Sequence, residues 1–74
     1  GVTVVAEQVV GPYETVQLKS SDSGALKNWL IDHNYNLSPD ISPVIDAYVA
    51  GGFDFLAMKL VPGQGITSMR PVHP

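Results

Sequence analysis

The chain has 74 residues, of which 45% are hydrophobic and 15% are charged, so it can form one small domain and is too apolar for a disordered tail. Its net charge is −3 and its four basic residues are scattered singly, which argues against nucleic acid as a partner. It has no cysteine, which excludes disulfides and thiolate metal sites, and no apolar run reaches the ~20 residues of a membrane span.

The N-terminal part of the chain predicts a β-hairpin. Residues 2–10 are rich in β-branched side chains, which pack well on a pleated surface. Apolar residues occur at both odd and even positions, so the pattern does not show which face of this strand is buried. Gly11 and Pro12 give a turn signal before a second strand at residues 13–18. In that strand Val16 and Leu18 share one face, and this face is predicted to be buried.

A first helix is predicted after the polar cluster at residues 20–24, whose side chains can cap a helix start, with Asp22 as one candidate. Asn34 suits the left-handed residue just past its end, and Tyr35 would then fold back on Leu30. The helix presents one apolar stripe, formed by Leu26, Trp29, Leu30 and His33.

A second helix is predicted to begin between Ile41 and Pro43, because proline is tolerated only in the first turn of a helix. Asp40 and Ser42 are its candidate caps. Its apolar face consists of Ile41, Val44, Ile45, Tyr48 and Val49.

A third strand is predicted after Gly51 and Gly52, which can reach positive φ and so end the second helix. The apolar pattern alternates from residue 53 until Pro62 and Gly63, where a loop begins. Residues 66–72 predict a short edge strand, since Pro71 confines any strand there to an edge.

The predicted order is therefore β-β-α-α-β within one small domain of residues 1–74, an α+β fold. Two helices cover one face of a three- to four-stranded sheet, antiparallel or mixed, and the third strand pairs beside either the first or the second. We expect the helices to cover a face that contains Val16, Leu18, Leu56, Met58 and Leu60.

That assignment leaves Tyr13, Phe53 and Phe55 on the other face of the sheet. Exposed aromatic clusters mark contact surfaces, so these three residues are the predicted interface. The alternative is that the first strand or the terminal segment folds over them.

No arrangement of residues in the sequence selects a catalytic, cofactor or metal site, so we expect none of these and no enzyme activity. His33 and His73 do not have the spacing of two metal ligands on one helix. The carboxylates are spread over different elements, and no serine lies in a nucleophile elbow. The glycines of residues 63–65 lack the lysine and the helix of a phosphate loop.

Nearly the whole chain resembles the bacterial family called domain of unknown function 2330, in the runs VGPYETVQL, LKNWLIDHNY, DAYVAGGFDFLAMKL and MRPV. The resemblance implies a longer parent chain with an export signal and often a membrane anchor, and hence an internal fragment of a cell-envelope protein. It carries no catalytic residues. Asn34 stands where a glycine is expected before the tyrosine, and asparagine tolerates the same left-handed geometry.

The leading hypothesis is a non-catalytic interaction module of a larger extracytoplasmic bacterial protein, with protein partners supplied by the rest of the parent chain or by a second copy. The alternative is a small peptide- or ligand-binding module in which a sheet edge receives an extended segment. A third possibility is an enzyme whose site is completed by other parts of the parent chain.

Overall fold

The computed structural model describes residues 1–61, which form an antiparallel sheet with two helices packed on one face. Strands β1 (Val2–Val10), β2 (Tyr13–Ser20) and β3 (Phe55–Leu60) lie in the spatial order β1-β2-β3. Helix α1 spans Ser23–Asp32 and helix α2 spans Ser42–Ala50. The predicted α+β class and element order are confirmed, and β3 pairs beside the second strand. The edge strand predicted at residues 66–72 lies outside the described residues.

The β-hairpin of β1 and β2 turns at Gly11 and Pro12, as the sequence predicts. Gly11 has φ of 57°, a left-handed conformation that glycine adopts without steric cost. Val10 lies opposite Tyr13 across this turn, and the pairing continues to Val2 opposite Ser20. One irregularity interrupts the register between Val4 and Ala6.

Helix α1 begins and ends as predicted. The Asp22 carboxylate accepts a hydrogen bond of 3.1 Å from the Ala25 amide and so satisfies a free donor of the first turn. Asn34 has φ of 65°, and the Tyr35 amide donates to the Leu30 carbonyl at 2.9 Å. These contacts turn the chain back toward the sheet.

Helix α2 starts at Ser42 with Pro43 in its first turn, which confirms the predicted start. The predicted capping role of Asp40 and Ser42 is wrong, because the N-cap position is Ile41 and makes no side-chain hydrogen bond. A short 3-10 helix at Pro39–Ile41 leads directly into α2, so the chain enters the helix in a nearly helical conformation.

The end of α2 depends on both glycines. Gly52 has φ of 73°, and the Phe53 amide donates to the Tyr48 carbonyl at 2.9 Å. A Cβ at Gly51 would lie 2.6 Å from the Phe53 ring, so the ring packs against the bare backbone of this residue. The strand then begins at Phe55, two residues later than its alternation predicts.

The core lies between the helices and one face of the sheet, but the prediction of which side chains of β3 reach it is wrong. Leu56, Met58 and Leu60 are 64%, 57% and 50% exposed, whereas Ala57 is 7% exposed. The pairing of β3 with β2 explains this: Ala57 lies opposite the buried Val16, and residues directly opposite in an antiparallel pair share a face. The buried core consists of Val16, Leu18, Leu26, Leu30, Ile45 and Ala57.

Candidate interaction surface

The face of the sheet away from the helices carries a row of exposed apolar side chains. On β3 this row contains Leu56, Met58 and Leu60, which are at least half exposed. The register places Tyr13 opposite Leu60 and Val10 opposite Tyr13, so the apolar surface continues across all three strands near the hairpin turn. We call Val10, Tyr13, Leu56, Met58 and Leu60 the open-face patch.

Polar side chains limit the open-face patch on β2. Thr15 lies opposite Met58 and Gln17 lies opposite Leu56, so these residues share the open face. The Gln17 amide donates to the Asp54 carboxylate at 2.6 Å, and the Thr15 hydroxyl donates to the Gln8 carbonyl at 3.1 Å. The patch is thus an apolar band along β3 with a polar border.

The three predicted interface residues lie in different surroundings. Tyr13 belongs to the open-face patch, while Phe55 faces the helices and packs against the core. Phe53 precedes β3 and is 66% exposed. Both phenylalanine rings contact the Tyr48 ring edge to face, with centroid distances of 6.2 Å for Phe53 and 5.8 Å for Phe55. The structure therefore brings Phe53 and Phe55 together around Tyr48 and does not bring Tyr13 to them.

Sequence reasoning missed the interface candidates Leu56, Met58, Leu60 and Tyr48. The alternation of β3 gives two sets of apolar side chains, and the set with the larger aliphatic side chains is the one predicted to lie in the core. The available signal was the small size of Ala57, because a short side chain lets a helix approach a strand closely while a leucine does not.

Lys59 is the centre of a polar cluster on the helix-covered side of the sheet. Its ammonium group donates to the His33 carbonyl at 2.6 Å, lies 4.6 Å from the centre of the Tyr35 ring and is 3.9 Å from the Glu14 carboxylate. Burial, followed by the charges of Glu14 and Glu7, raises the pKa of Tyr35 above its usual 10.0. The phenol is therefore neutral at physiological pH and joins Lys59 in anchoring the end of α1 to β3.

The His33 ring contacts Trp29 of the same helix end. Its ring stacks on Trp29 with 3.7 Å between ring centres and an angle of 12° between the planes. Its Nδ1 atom lies 2.7 Å from the Trp29 carbonyl oxygen. These contacts belong to the last turn of α1 and bring no carboxylate to the imidazole.

A groove runs beside β3 on the helix-covered side and has a volume of about 410 Å³. It is lined by Phe55 and Ala57 of β3 and by Leu37 and Ile41, which precede α2. Asn34 and Asn36 add polar side chains to the lining. The outer edge of β3 therefore lies between an apolar groove and the open-face patch.

The described residues offer no evident centre for metal chemistry. Within residues 1–61, no group of three or more histidine, aspartate or glutamate side chains is placed to hold a metal ion. Neither helix of that part of the chain has the length and apolar character of a membrane span.

A comparison with protein families matches residues 1–72 to the bacterial family described as "Uncharacterized protein conserved in bacteria (DUF2330)". The chain belongs to the DUF2330 family. Comparisons with curated proteins and with solved structures found no match. Membership of the DUF2330 family confirms the resemblance that the sequence suggests, and the left-handed Asn34 shows that the departure from glycine is accommodated.

Proposed function

We propose that this chain is a non-catalytic protein-interaction module of a larger extracytoplasmic bacterial protein in the cell envelope. The observation that carries the proposal is the open-face patch, in which Leu56, Met58 and Leu60 are exposed side by side. Neighbouring large apolar side chains on one sheet face are typical of contact surfaces. The partner is protein, either the remainder of the parent chain or a second copy.

A partner on the open-face patch would gain free energy from the apolar area that it removes from water. Fully burying an exposed leucine or methionine side chain contributes roughly 1.5–3 kcal/mol. The three side chains of the β3 row are half to two-thirds exposed, so covering them would contribute part of that amount for each side chain. Tyr13 adds an amphipathic ring at the edge of this row, where its hydroxyl can stay in water. The low charged fraction of 15%, against roughly 25% in typical domains, also suits a surface that is partly covered.

The envelope location follows from the export signals that the family resemblance implies. It is tested by fractionating the native bacterium and detecting the protein with an antibody against this chain. Recovery with periplasmic or membrane fractions supports the location, and recovery with cytosolic markers contradicts it.

Oxidation of Met58 tests whether the open-face patch is covered in the natural protein. Met58 is 57% exposed in this chain, so dilute peroxide is expected to oxidise it readily in the isolated domain. In the full-length protein purified under native conditions, we expect oxidation at least fivefold slower. Equal rates in the two samples, with the isolated domain kept monomeric by dilution, would show that no protein covers the patch and would overturn the proposed function.

A second candidate function is peptide binding at the edge of β3. The observation that favours it is the groove beside this edge, where alternate side chains of an extended peptide could enter between β3 and Leu37. Peptides selected from a random displayed library can be titrated into the labelled chain and followed by amide chemical shifts. Shifts concentrated at Leu56, Met58 and Leu60 would support this function, and selected peptides that shift amides elsewhere would exclude it.

A further inference from the structure

We propose that a hollow at the C-terminal end of α2 binds an arginine side chain of a partner protein. The hollow has a volume of about 420 Å³ and is lined by Ala47, Tyr48, Phe53 and Asp54, and we call it the Asp54 hollow. It shares no residue with the open-face patch. The inference therefore concerns a second contact surface and does not depend on the proposed function.

Two aromatic rings line the Asp54 hollow, and both are held in place by contacts within the fold. The Tyr48 ring contacts Phe55, which packs against the core. The Phe53 ring contacts Tyr48 edge to face and lies on the bare backbone of Gly51, where a Cβ would come within 2.6 Å of it. Phe53 is 66% exposed and Tyr48 is 44% exposed, so both rings still offer surface to a ligand. Because the rings are already positioned, a ligand would lose little free energy in ordering them.

The Asp54 carboxylate adds a negative charge to the lining. Its Oδ2 atom accepts a hydrogen bond of 2.6 Å from the Gln17 amide, which fixes the orientation of the group. Its Oδ1 atom takes no part in that bond and can accept from the N–H of a ligand. A carboxylate and aromatic rings in one hollow both attract a cation, the first through its charge and the second through the negative faces of the rings.

The end of α2 favours a ligand of the same charge. The aligned peptide dipoles of a helix give its C-terminal end a partial negative charge, which stabilises a nearby cation. The last turn of α2 contains no basic residue that would supply one. The chain as a whole has a net charge of −3, so its field also attracts a basic partner. Charge complementarity therefore selects a cationic group for the Asp54 hollow.

Arginine matches these features better than lysine does. Its guanidinium group is flat and weakly hydrated, so it can stack on an aromatic ring while it donates hydrogen bonds to a carboxylate. The lysine ammonium is a compact and strongly hydrated charge, which makes its transfer from water to an aromatic surface less favourable. Arginine is also enriched at protein interfaces together with tyrosine and phenylalanine, and the latter two line this hollow.

Blocked tripeptides test the site, because each carries a single functional side chain. Acetyl-Gly-Arg-Gly-amide is compared with acetyl-Gly-citrulline-Gly-amide, which has nearly the same shape and no charge. We expect the arginine peptide to shift the amide resonances of Tyr48, Phe53 and Asp54 and to bind about tenfold more tightly than the citrulline peptide. The corresponding lysine peptide should bind less tightly than the arginine peptide.

Substitutions in the Asp54 hollow separate the contributions of charge and ring. Asp54→Asn removes the charge and keeps the shape, so it should weaken binding of the arginine peptide about threefold or more. Phe53→Leu removes an aromatic ring and should weaken it about twofold or more. Asp32→Asn, the same substitution at the end of α1, is the matched control and should leave the affinity unchanged. Circular dichroism of each variant checks that the fold is kept.

Several results would overturn the inference. Equal binding of the arginine and citrulline peptides, shifts confined to other residues, or full affinity in Asp54→Asn would show that the hollow does not recognise a cation. Tighter binding of the lysine peptide would exclude arginine as the occupant.

A further variant distinguishes a partner from the chain itself. Arg70 lies outside the described residues, and tighter peptide binding by Arg70→Gln would show that the chain's own arginine competes for the Asp54 hollow, which would overturn the assignment to a partner. Unchanged affinity supports that assignment. The peroxide test of Met58 reports only on the open-face patch, so the proposed function and this inference stand or fall separately.

Discussion

Both faces of β3 carry apolar side chains, but the two faces lie in opposite environments. On the covered face, Ala57 is buried and Phe55 packs against the core, while Lys59 ties the strand to the end of α1. On the open face, Leu56 and Met58 are more than half exposed. The larger aliphatic side chains are thus the ones left in water.

This difference shows that burial in a two-sided strand is decided by its neighbour. Strand β2 alternates clearly, with Val16 and Leu18 buried and Thr15 and Gln17 on the other face. Once β3 pairs with β2, the register assigns Ala57 and Phe55 to the helices. A shift by one residue would exchange the two faces, and it would place Leu56 or Met58 where only the small Ala57 lies now.

The largest predicted effect compares the same substitution on the two faces. Leu18 is fully buried, so Leu18→Ala removes core contacts and leaves a cavity, which we expect to cost about 2–5 kcal/mol of unfolding free energy. Leu56→Ala, at an exposed site in the isolated chain, should change it by about 0.5 kcal/mol or less. Urea unfolding followed by Trp29 fluorescence measures both, at protein concentrations low enough to keep the chain monomeric.

Equal losses for the two leucines would contradict the assignment of faces. If Leu18→Ala fails to fold, Leu18→Val is the milder substitute, and it should still destabilise more than Leu56→Val.

The second prediction tests the need for a small residue under the helices. Ala57→Leu inserts three carbon atoms opposite Val16, where the helices pack closely, and we expect a loss of about 1–3 kcal/mol. Met58→Leu, the next residue on the open face, should be nearly neutral. Thermal unfolding by circular dichroism measures the pair. A stabilising Ala57→Leu would mean that the covered face contains space that the structure does not show.

The sequence predicts most of the local structure because the signals there are short range. The cap at Asp22, the left-handed Asn34 and the start of α2 near Pro43 each depend on a few adjacent residues. The exposed side of β3 depends on pairing with a strand about forty positions earlier, and alternation alone gives two equivalent answers.

The candidate site was predictable only in part for the same reason. Tyr13 is on the open face as expected, because in β2 the buried aliphatic residues Val16 and Leu18 lie at even positions and Tyr13 lies at an odd one. Alternation predicts Phe53 and Phe55 on one face, but β3 starts only at Phe55, and the Phe53 ring packs over Gly51 and contacts Tyr48. Their role as interface residues remains a prediction, which Phe53→Ser and light scattering across a concentration series would test.

The third prediction concerns the N-terminal cap of helix α1. Asp22 caps α1 through the Ala25 amide, so Asp22→Ala should lower the unfolding free energy by about 1 kcal/mol, while Asp22→Asn retains most of the cap. Asp40→Ala is the matched control, because the Asp40 side chain caps neither of the helical segments near it, and its effect should stay below about 0.5 kcal/mol. Chemical unfolding under one condition measures the unfolding free energy of the three variants. A larger loss for Asp40→Ala than for Asp22→Ala would contradict the observed start of α2.

The smallest predicted effect concerns the ion pair that joins the two helices over the covered face. The Lys27 ammonium lies 2.8 Å from the Asp46 carboxylate, and this hydrogen bond, with a second from Ser23, lowers the pKa of Asp46 below its usual 3.8. A carboxylate with a lowered folded pKa stabilises the protein above its unfolded pKa, and that contribution is lost as the pH falls through the folded value. The stability advantage of the wild type over Asp46→Asn should therefore be constant above about pH 5 and vanish in stronger acid. It should also shrink as salt is added, since the pair is at the surface. Asp32→Asn, at the end of α1, is the control. A difference in unfolding free energy between wild type and Asp46→Asn that stays the same at all pH values would contradict a stabilising pair.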